Sequence, residues 1–289
     1  MKHKIAYQGE PGANSHIACV ETHPDYEPMP CRTFEDAFQA VKSGKADLAM
    51  IAIENTTAGR VADVHHLLPD SGLWIVGEHF LRIRFQLLGL PGAKLMDLKS
   101  VHSHVHALGQ CRKAIKAHKL TAVVAADTAG AARELSEIKD KSRAAIATQL
   151  AGEIYGLKIL ARDIEDEDHN TTRFVILSKK RSDTKLGKAL VMTSFVFRVR
   201  NVPAALYKAM GGFATNSVNM TKLESYQVEG QFSATQFYAD IEGHPEDRNV
   251  KLAMEELAFF TSYTRILGTY PASPFRAEIA KRMKAEPLT

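Results

Sequence analysis

The sequence predicts an α/β fold in two parts. Strand-like and helix-like segments alternate from Lys4 to Ser178, the stretch Lys179 to Lys188 turns polar and loses its period, and the remainder follows βαββαβ order. At 289 residues the chain is long for one hydrophobic core and comfortable for two or three packed units. A formal net charge of +4 with no Lys/Arg run argues against nucleic acid as a partner. The three cysteines, Cys19, Cys31 and Cys111, are far apart and odd in number, which suggests reduced thiols and neither a disulfide framework nor a zinc set. The opening residues run straight into a strand, without the apolar stretch of a signal peptide or membrane span, so a cytoplasmic protein with no membrane partner is expected.

The first strand is Lys4 to Gln8. Gly9-Glu10-Pro11-Gly12 is turn chemistry, and Asn14 or Ser15 can cap the helix that follows. Thr33 with Asp36 three residues on marks the next helix start, and Phe34, Ala37, Phe38 and Val41 share one face of a helix ending near Ser43. Leu48 to Ile53 is a short apolar run, long enough for a buried strand and too short for a helix. A second alternation begins near Trp74. It runs through apolar Phe85 to Leu90, a helix around Leu108, Cys111 and Ile115, and a strand from Thr121 to Ala125. A helix from Thr128 to about Lys139, the run Ala144 to Ala147 and a strand from Lys158 to Ala161 complete it. Mostly parallel sheets follow from this order, with ligands expected in crevices at the carboxyl ends of strands.

Beyond the linker come a strand (Met192 to Val199), a helix (Pro203 to Phe213), two strands (Val218 to Val228 and Phe232 to Ile241), a helix (Arg248 to Ser262) and a strand (Thr264 to Gly268). Val250, Ala253, Met254 and Leu257 supply the buried face of that second helix. This is the ferredoxin-like arrangement. A tail from Pro274 is expected to be helical.

Four segments, in order and spacing, resemble the prephenate dehydratase family. They are Tyr7-Gln8-Gly9-Glu10-Pro11-Gly12-Ala13-Asn14-Ser15, Ile53-Glu54-Asn55-Thr56, Ser103-His104-Val105-His106-Ala107-Leu108-Gly109-Gln110-Cys111, and Asn170-Thr171-Thr172-Arg173-Phe174. The last matches the family's Asn-x-Thr-Arg-Phe outright. In the others, Ala13-Asn14 replaces the usual Thr-Phe, Ala52 stands where proline is usual, and His106 replaces a glutamine. The C-terminal part is similar to the ACT domain appended to such enzymes. There Ala204-Ala205-Leu206 stands for Gly-Ala-Leu, and Glu224-Ser225-Tyr226-Gln227 stands for Glu-Ser-Arg-Pro.

The resemblance implies a two-lobed, periplasmic-binding-protein-like catalytic unit over residues 1–182, with lobes of about 1–78 plus 172–182 and 79–171. It also implies an ACT regulatory domain over 190–272 and a tail over 273–289. The implied reaction is decarboxylative dehydration of prephenate to phenylpyruvate, in L-phenylalanine biosynthesis, with no metal or organic cofactor. Implied catalytic-site residues are Thr172, Asn55, Arg173, Glu54, Ser103, Gln110, Asn170 and Phe174, with Gly9, Gly12 and Ser15 as a substrate-binding loop. Ala204, Ala205, Leu206, Asn219, Glu224 and Ser225 are the implied contacts for L-phenylalanine as effector, in a homodimer or homotetramer.

The chemistry asks for protonation of a poor leaving group and a grip on two carboxylates. A positioned general acid contributes ~10² to 10⁴ in rate, and the resemblance puts Thr172 there, as proton donor or as orienter of the leaving hydroxyl. On a regular strand Arg173 points to the opposite face from Thr172, so it either forks onto a substrate carboxylate or pairs with a protein carboxylate. Asn55 offers a fixed donor and acceptor, while Glu54 either accepts from a hydroxyl or serves structure. The Gly9–Ser15 turn offers backbone N–H groups at a helix start. Three rival readings stand beside this one. Alternating His102, His104 and His106 on a strand would suit zinc and a hydrolase. The same two-part architecture serves non-catalytic sensors. Arogenate, with an amino group for the keto oxygen, is the alternative substrate. The acidic run Glu165-Asp166-Glu167-Asp168 is expected to be a solvated loop.

Overall fold

A computed structural model describes residues 2–187, 189–200, 202–227 and 236–285. The first part of the chain runs β1 (Lys4–Gln8), α1 (Asn14–Thr22), β2 (Glu27–Cys31), α2 (Phe34–Ser43), β3 (Leu48–Asn55), β4 (Gly59–Arg60), α3 (Ala62–Asp70) and β5 (Trp74–Arg82). It continues with β6 (Gln86–Gly89), β7 (Ser100–Ser103), α4 (Val105–Gln110), α5 (Arg112–Ala117), β8 (Thr121–Val124), α6 (Thr128–Ile138), β9 (Arg143–Ala147), α7 (Gln149–Ile154), β10 (Lys158–Ala161) and β11 (Thr171–Ser178).

Two sheets result, in orders β2-β1-β3-β11-β5, with β4 paired to β3, and β10-β6-β9-β7-β8. The pairs β1/β2, β1/β3, β7/β8 and β7/β9 are parallel, as alternation predicts, but β6 runs antiparallel to both β9 and β10. Alternation alone does not orient β6, which enters its sheet directly from β5 without a crossover helix.

Three local features depart from the sequence expectation. β2, with two prolines in Glu27–Cys31, carries no strand signal and survives because it lies at a sheet edge. The helix expected around Cys111 is two short helices, because Asp166 intrudes on it. The Asp166 N–H donates to the Gln110 carbonyl at 2.6 Å, and its carboxylate accepts the Arg112 and Lys113 N–H groups at 3.0 Å each. The acidic loop is thus solvated only in its second half, Glu167 and Asp168 being exposed, while Asp166 caps α5 and Glu165 accepts the Phe85 N–H at 3.0 Å. Finally, α1 begins after Ala13 without a side-chain cap, in place of the expected Asn14 or Ser15.

The second part comprises β12 (Val191–Val199), α8 (Ala205–Thr215), β13 (Met220–Tyr226), β14 (Gln236–Glu242), α9 (Arg248–Phe260), β15 (Thr261–Pro271) and α10 (Pro274–Ala285). Its sheet order, β13-β14-β12-β15, places the first and third strands of the βαββαβ unit at the centre, as in ferredoxin-like folds. The expected strand segments at Val228 and 232–235 lie outside the described residues. Phe195, Phe197, Phe213, Phe237, Ile241, Val250 and Leu257 form the core under the two helices. α9 stops at Phe260 and β15 starts at once, since Thr261 Oγ1 donates back to the Leu257 carbonyl at 3.0 Å.

Compactness divides the chain into residues 1–61 with 79–174, and 62–78 with 175–289. The division passes within β5 and β11 and not through the polar linker. Within the second unit the backbones of β15 and β5 meet closely: a Cβ on Gly268 would run into the Ile75 carbonyl oxygen. Glu78 and Arg276 add a two-point ion pair, Nε to Oε1 at 2.6 Å and Nη2 to Oε2 at 2.8 Å. The linker is itself held, since the Arg181 guanidinium lies 3.8 Å over the Trp74 ring.

Gly268→Ala forces overpacking against backbone and is expected to destabilise by ~1–3 kcal/mol. Gly211, inside α8 with no atom within 4 Å of a built Cβ, is the control. Gly211→Ala should stabilise by ~0.5–1 kcal/mol. Thermal melts of the two variants should shift in opposite directions.

Candidate active site

The end of β3 and the start of β11 carry the site, and strand alternation sorts its residues. Thr56 laces the two strands: its N–H donates to the Thr171 carbonyl at 3.0 Å, and its Oγ1 accepts the Thr171 N–H at 2.9 Å. On one face Asn55 meets Thr172. On the other, Arg173 Nη1 donates to Glu54 Oε1 at 3.0 Å, with Arg173 only 3% exposed and its guanidinium 5.9 Å from the Phe80 ring centre. Of the two readings for Arg173, the carboxylate partner in this structure is the protein's own Glu54.

Asn55 is the centre of a closed ring of polar groups. Its Oδ1 accepts the main-chain N–H groups of Thr57 at 3.0 Å and Ala58 at 2.9 Å. Main-chain N–H groups only donate, so this atom is the oxygen, and the amide has one orientation. Its Nδ2 therefore donates its two hydrogens to Asn170 Oδ1 at 2.8 Å and Thr172 Oγ1 at 2.9 Å, with the Thr171 carbonyl at 3.2 Å as a longer, shared contact. The assignment propagates: Asn170 Nδ2 donates to Gln110 Oε1 at 2.8 Å, and Gln110 Nε2 donates to Thr57 Oγ1 at 2.6 Å. Thr57 Oγ1 then donates to Asn55 Oδ1 at 2.8 Å, closing the ring. Thr172 Oγ1 thus receives a hydrogen bond, which polarises its own O–H, and among the described residues no acceptor takes that proton.

Gln110, Asn170 and Thr57 also line a cleft of about 500 Å³ with Val105, His106 and Arg112. Thr57 was missed from sequence. Its signal was the pattern Asn55-Thr56-Thr57-Ala58, in which an Asn side chain bonds to N–H groups two and three residues on.

Other expected residues make no hydrogen bond to this ring among the described residues. Ser103 is fully buried and donates to the Ile146 carbonyl at 2.7 Å, tying β7 to β9. Phe174 is 1% exposed and belongs to the core. In the glycine turn, Gly9 and Gly12 have φ of +123° and +91°. A Cβ at Gly12 would stand 2.6 Å from Ala151 Cα, so glycine is needed there for packing as well as conformation. Of the turn's N–H groups, expected to be open to a carboxylate, that of Gly9 donates to the Cys31 carbonyl at 2.9 Å and that of Gly12 to His16 Nδ1 at 3.0 Å. The Gly12 N–H can only donate, so Nδ1 is the acceptor, and burial, which lowers the His16 pKa, favours the neutral ring that this requires. Ser15 is half-buried in the first turn of α1.

The three alternating histidines do not share a strand face. His102 lies on β7 beside Ser100 Oγ at 3.2 Å, His104 precedes α4 as its N-cap, and His106 lies in its first turn. Among the described residues no group of three or more His, Cys, Asp or Glu side chains is placed to hold a metal. Cys111 is buried, and burial with nearby Asp166 and Glu165 pushes its thiol well up, leaving it an inert packing residue.

In the second unit, Ala204 holds φ +59° at the N-cap of α8, Ala205 is buried, and Leu206 packs on the core. Asn219 precedes β13, and its carbonyl accepts the Glu242 N–H at 2.9 Å. Glu224 pairs with Lys222 Nζ at 2.8 Å, and Ser225 is exposed on β13. No helix among the described residues is long and apolar enough to cross a membrane.

The family profile for prephenate dehydratase matches residues 5–182. A bifunctional N-acyl-homoserine lactone acylase/prephenate dehydratase of Komagataeibacter europaeus is 52% identical over 272 residues, covering 94% of this chain and 97% of that protein. An arogenate dehydratase of Petunia hybrida is 36% identical, covering 93% of this chain and 72% of that protein. Among solved structures, one described as a novel type of quorum-quenching acylase superposes with TM-score 0.90 at 51% identity, covering 95% of this chain and all of that one. A prephenate dehydratase from Arthrobacter aurescens, in complex with L-Phe, superposes with TM-score 0.84 at 29% identity, covering 98% of this chain and 99% of that one. With its polar ring built from the segments that the family profile spans, this chain belongs to the prephenate dehydratase family, an enzyme family of lyases.

Proposed function

We propose that this chain converts prephenate to phenylpyruvate, water and carbon dioxide, in L-phenylalanine biosynthesis. The observation that carries the reading is the Asn55 Nδ2 to Thr172 Oγ1 hydrogen bond inside the closed amide ring. Thr172 O–H gives its proton to the departing hydroxyl, the ring C–O bond breaks, and the electron pair of the breaking carbon–carboxylate bond completes the aromatic ring as carbon dioxide leaves. Asn55 Nδ2–H stabilises the negative charge growing on Thr172 Oγ1, which then regains a proton from solvent. Glu54 and Arg173 serve as a positioning pair that fixes the two strands, and Gln110, Asn170 and Thr57 hold Asn55 in orientation. Thr172→Ala should lower kcat by ~10² or more, and Thr172→Ser should recover most of it. Turnover of the alanine variant within about twofold of wild type would remove Thr172 from the proton path.

Residues 1–182 are read as the catalytic domain, with lobes of about 1–78 plus 172–182 and 79–171, and residues 190–272 as an ACT domain followed by the tail 273–289. In this reading the chain is a cytoplasmic homodimer or homotetramer that binds L-phenylalanine near α8 and β13. The ferredoxin-like strand order and the solved relative bound to L-Phe support it. Ala204 occupies the left-handed region where the family has glycine, a placement that costs a non-glycine residue ~1–2 kcal/mol. Ala204→Gly should therefore raise stability by ~1 kcal/mol and tighten calorimetric L-phenylalanine binding. Unchanged stability and no heat on adding millimolar L-phenylalanine would count against the effector reading.

Arogenate is the alternative substrate, supported by the arogenate dehydratases at 34–37% identity. Side-by-side kcat/KM values decide between the two acids. A second activity, hydrolysis of the amide bond of N-acyl-homoserine lactones, is supported by the 52% identical relative named for both activities. Release of free homoserine lactone on incubation with such a lactone tests it.

A further inference from the structure

A cleft on the first unit, sharing no lining residue with the one beside Asn170, has an unusual charge balance. It measures about 450 Å³, and its lining includes Phe80, Arg82, Arg84, Gln149, Arg162 and Asp163. Phe80, Arg82, Arg84 and Gln86 alternate with buried Leu81, Ile83 and Phe85, so the two-residue period of extended chain turns the first set to one side. Arg162 brings a third guanidinium from the segment just after β10.

Three guanidiniums thus face two carboxylates, an excess of one positive charge in the lining. Two carboxylates line the cleft, Glu21 and Asp163. Glu21 is engaged by His79 Nε2 at 3.0 Å, and Asp163 stands 3.9 Å from Arg84 Nη1. Among the described residues Arg162 Nη1 donates to a neutral amide oxygen, Gln149 Oε1, at 3.3 Å. Among the described residues no acceptor engages the Arg82 guanidinium. Like charges held together repel, and a bound anion converts that repulsion into attraction.

The floor of the cleft is also fixed. Asp163 adopts φ +48°, a conformation unfavourable for a residue with a Cβ. Two hydrogen bonds with buried Gln86 hold it there: Gln86 Nε2 donates to Asp163 Oδ1 at 2.9 Å, and Asp163 N–H donates to Gln86 Oε1 at 3.1 Å. Strained residues held in this way cluster at ligand sites. Phe80 supplies an aromatic wall beside the cations.

We propose that this arginine-lined cleft binds a small organic carboxylate that carries a ring, with Arg82 and Arg162 gripping the carboxylate and Phe80 packing against the ring. The site is separate from the polar ring around Asn55, and the assignment does not depend on the dehydratase reading.

Phenylpyruvate is the probe, titrated by calorimetry into the full chain as wild type, Arg82→Gln, Arg162→Gln and Arg82→Lys, with prephenate turnover measured in parallel. Each glutamine variant should remove a binding event or weaken it by about fivefold or more, and Arg82→Lys should retain part of it. The KM for prephenate should stay within about twofold in all of them. The arginines are exposed, so unchanged melting temperatures are expected and confirm that the variants fold. Absence of phenylpyruvate binding in wild type, or equal binding in wild type and both glutamine variants, overturns the site. A KM for prephenate that rises in step with the lost binding overturns its separateness, and equal affinity for inorganic phosphate overturns the ring-carboxylate class. If wild type turns over no prephenate, the dehydratase reading fails while the calorimetry still decides this one.

Discussion

The candidate site depends on one contact: Asn55 Oδ1 receiving the main-chain N–H groups of Thr57 and Ala58. Those two donors cannot reverse, so they set which end of the Asn55 amide donates. Through that choice they set the amides of Asn170 and Gln110 and the direction of the Thr57 hydroxyl. Without the contact each amide would have two orientations, and Thr172 would face a donor or an acceptor with comparable ease. With it, Thr172 Oγ1 always meets a donor, which leaves its own proton directed elsewhere. A weak acid becomes a serviceable one through the preorganised group behind it, at no reorganisation cost during reaction.

The same turn also links distant parts of the chain. Gln110 ends α4, Asn170 and Thr172 flank the start of β11, and Asn55 ends β3, so three segments far apart in sequence meet in one ring. Gln110 stays in place because α4 stops there. Asp166 takes the N–H groups that a continuing helix would have used, and its own N–H donates to the Gln110 carbonyl. An acidic run that looks solvated in isolation is therefore part of what aims an amide into the cleft.

Charge is arranged by the same alternation. Glu54 and Arg173 neutralise each other on the strand face opposite Asn55 and Thr172, in a site where an unpaired guanidinium would be costly. The excess of positive charge lies at the end of β5 and just beyond it, where Arg82 and Arg84 share the side of Phe80. The unit thus has a neutral, hydrogen-bonded surface at the ring around Asn55 and a positive one at the arginines.

Much of this was legible in the chain itself. Short apolar runs bounded by turn residues placed β1, β3, β9 and β12, the Thr33 cap placed α2, and the order of elements after the linker carried the ferredoxin-like topology. Each of these rests on local chemistry or on the two periods of side-chain direction. The direction of β6, the persistence of β2 with two prolines, the break at Cys111 and the engagement of Gly9 and Gly12 N–H groups were not legible. Most are settled by a partner more than ten residues away, Asp166 for the helix break and Cys31 for Gly9, or by the place a strand takes in its sheet, while the Gly12 N–H meets His16 four residues on, a contact that only the folded turn sets. The residue types of the site were written in sequence. Which of them touch, and which way each amide and hydroxyl points, came only from the tertiary structure, because a hydrogen bond has a direction only once both its ends are in place.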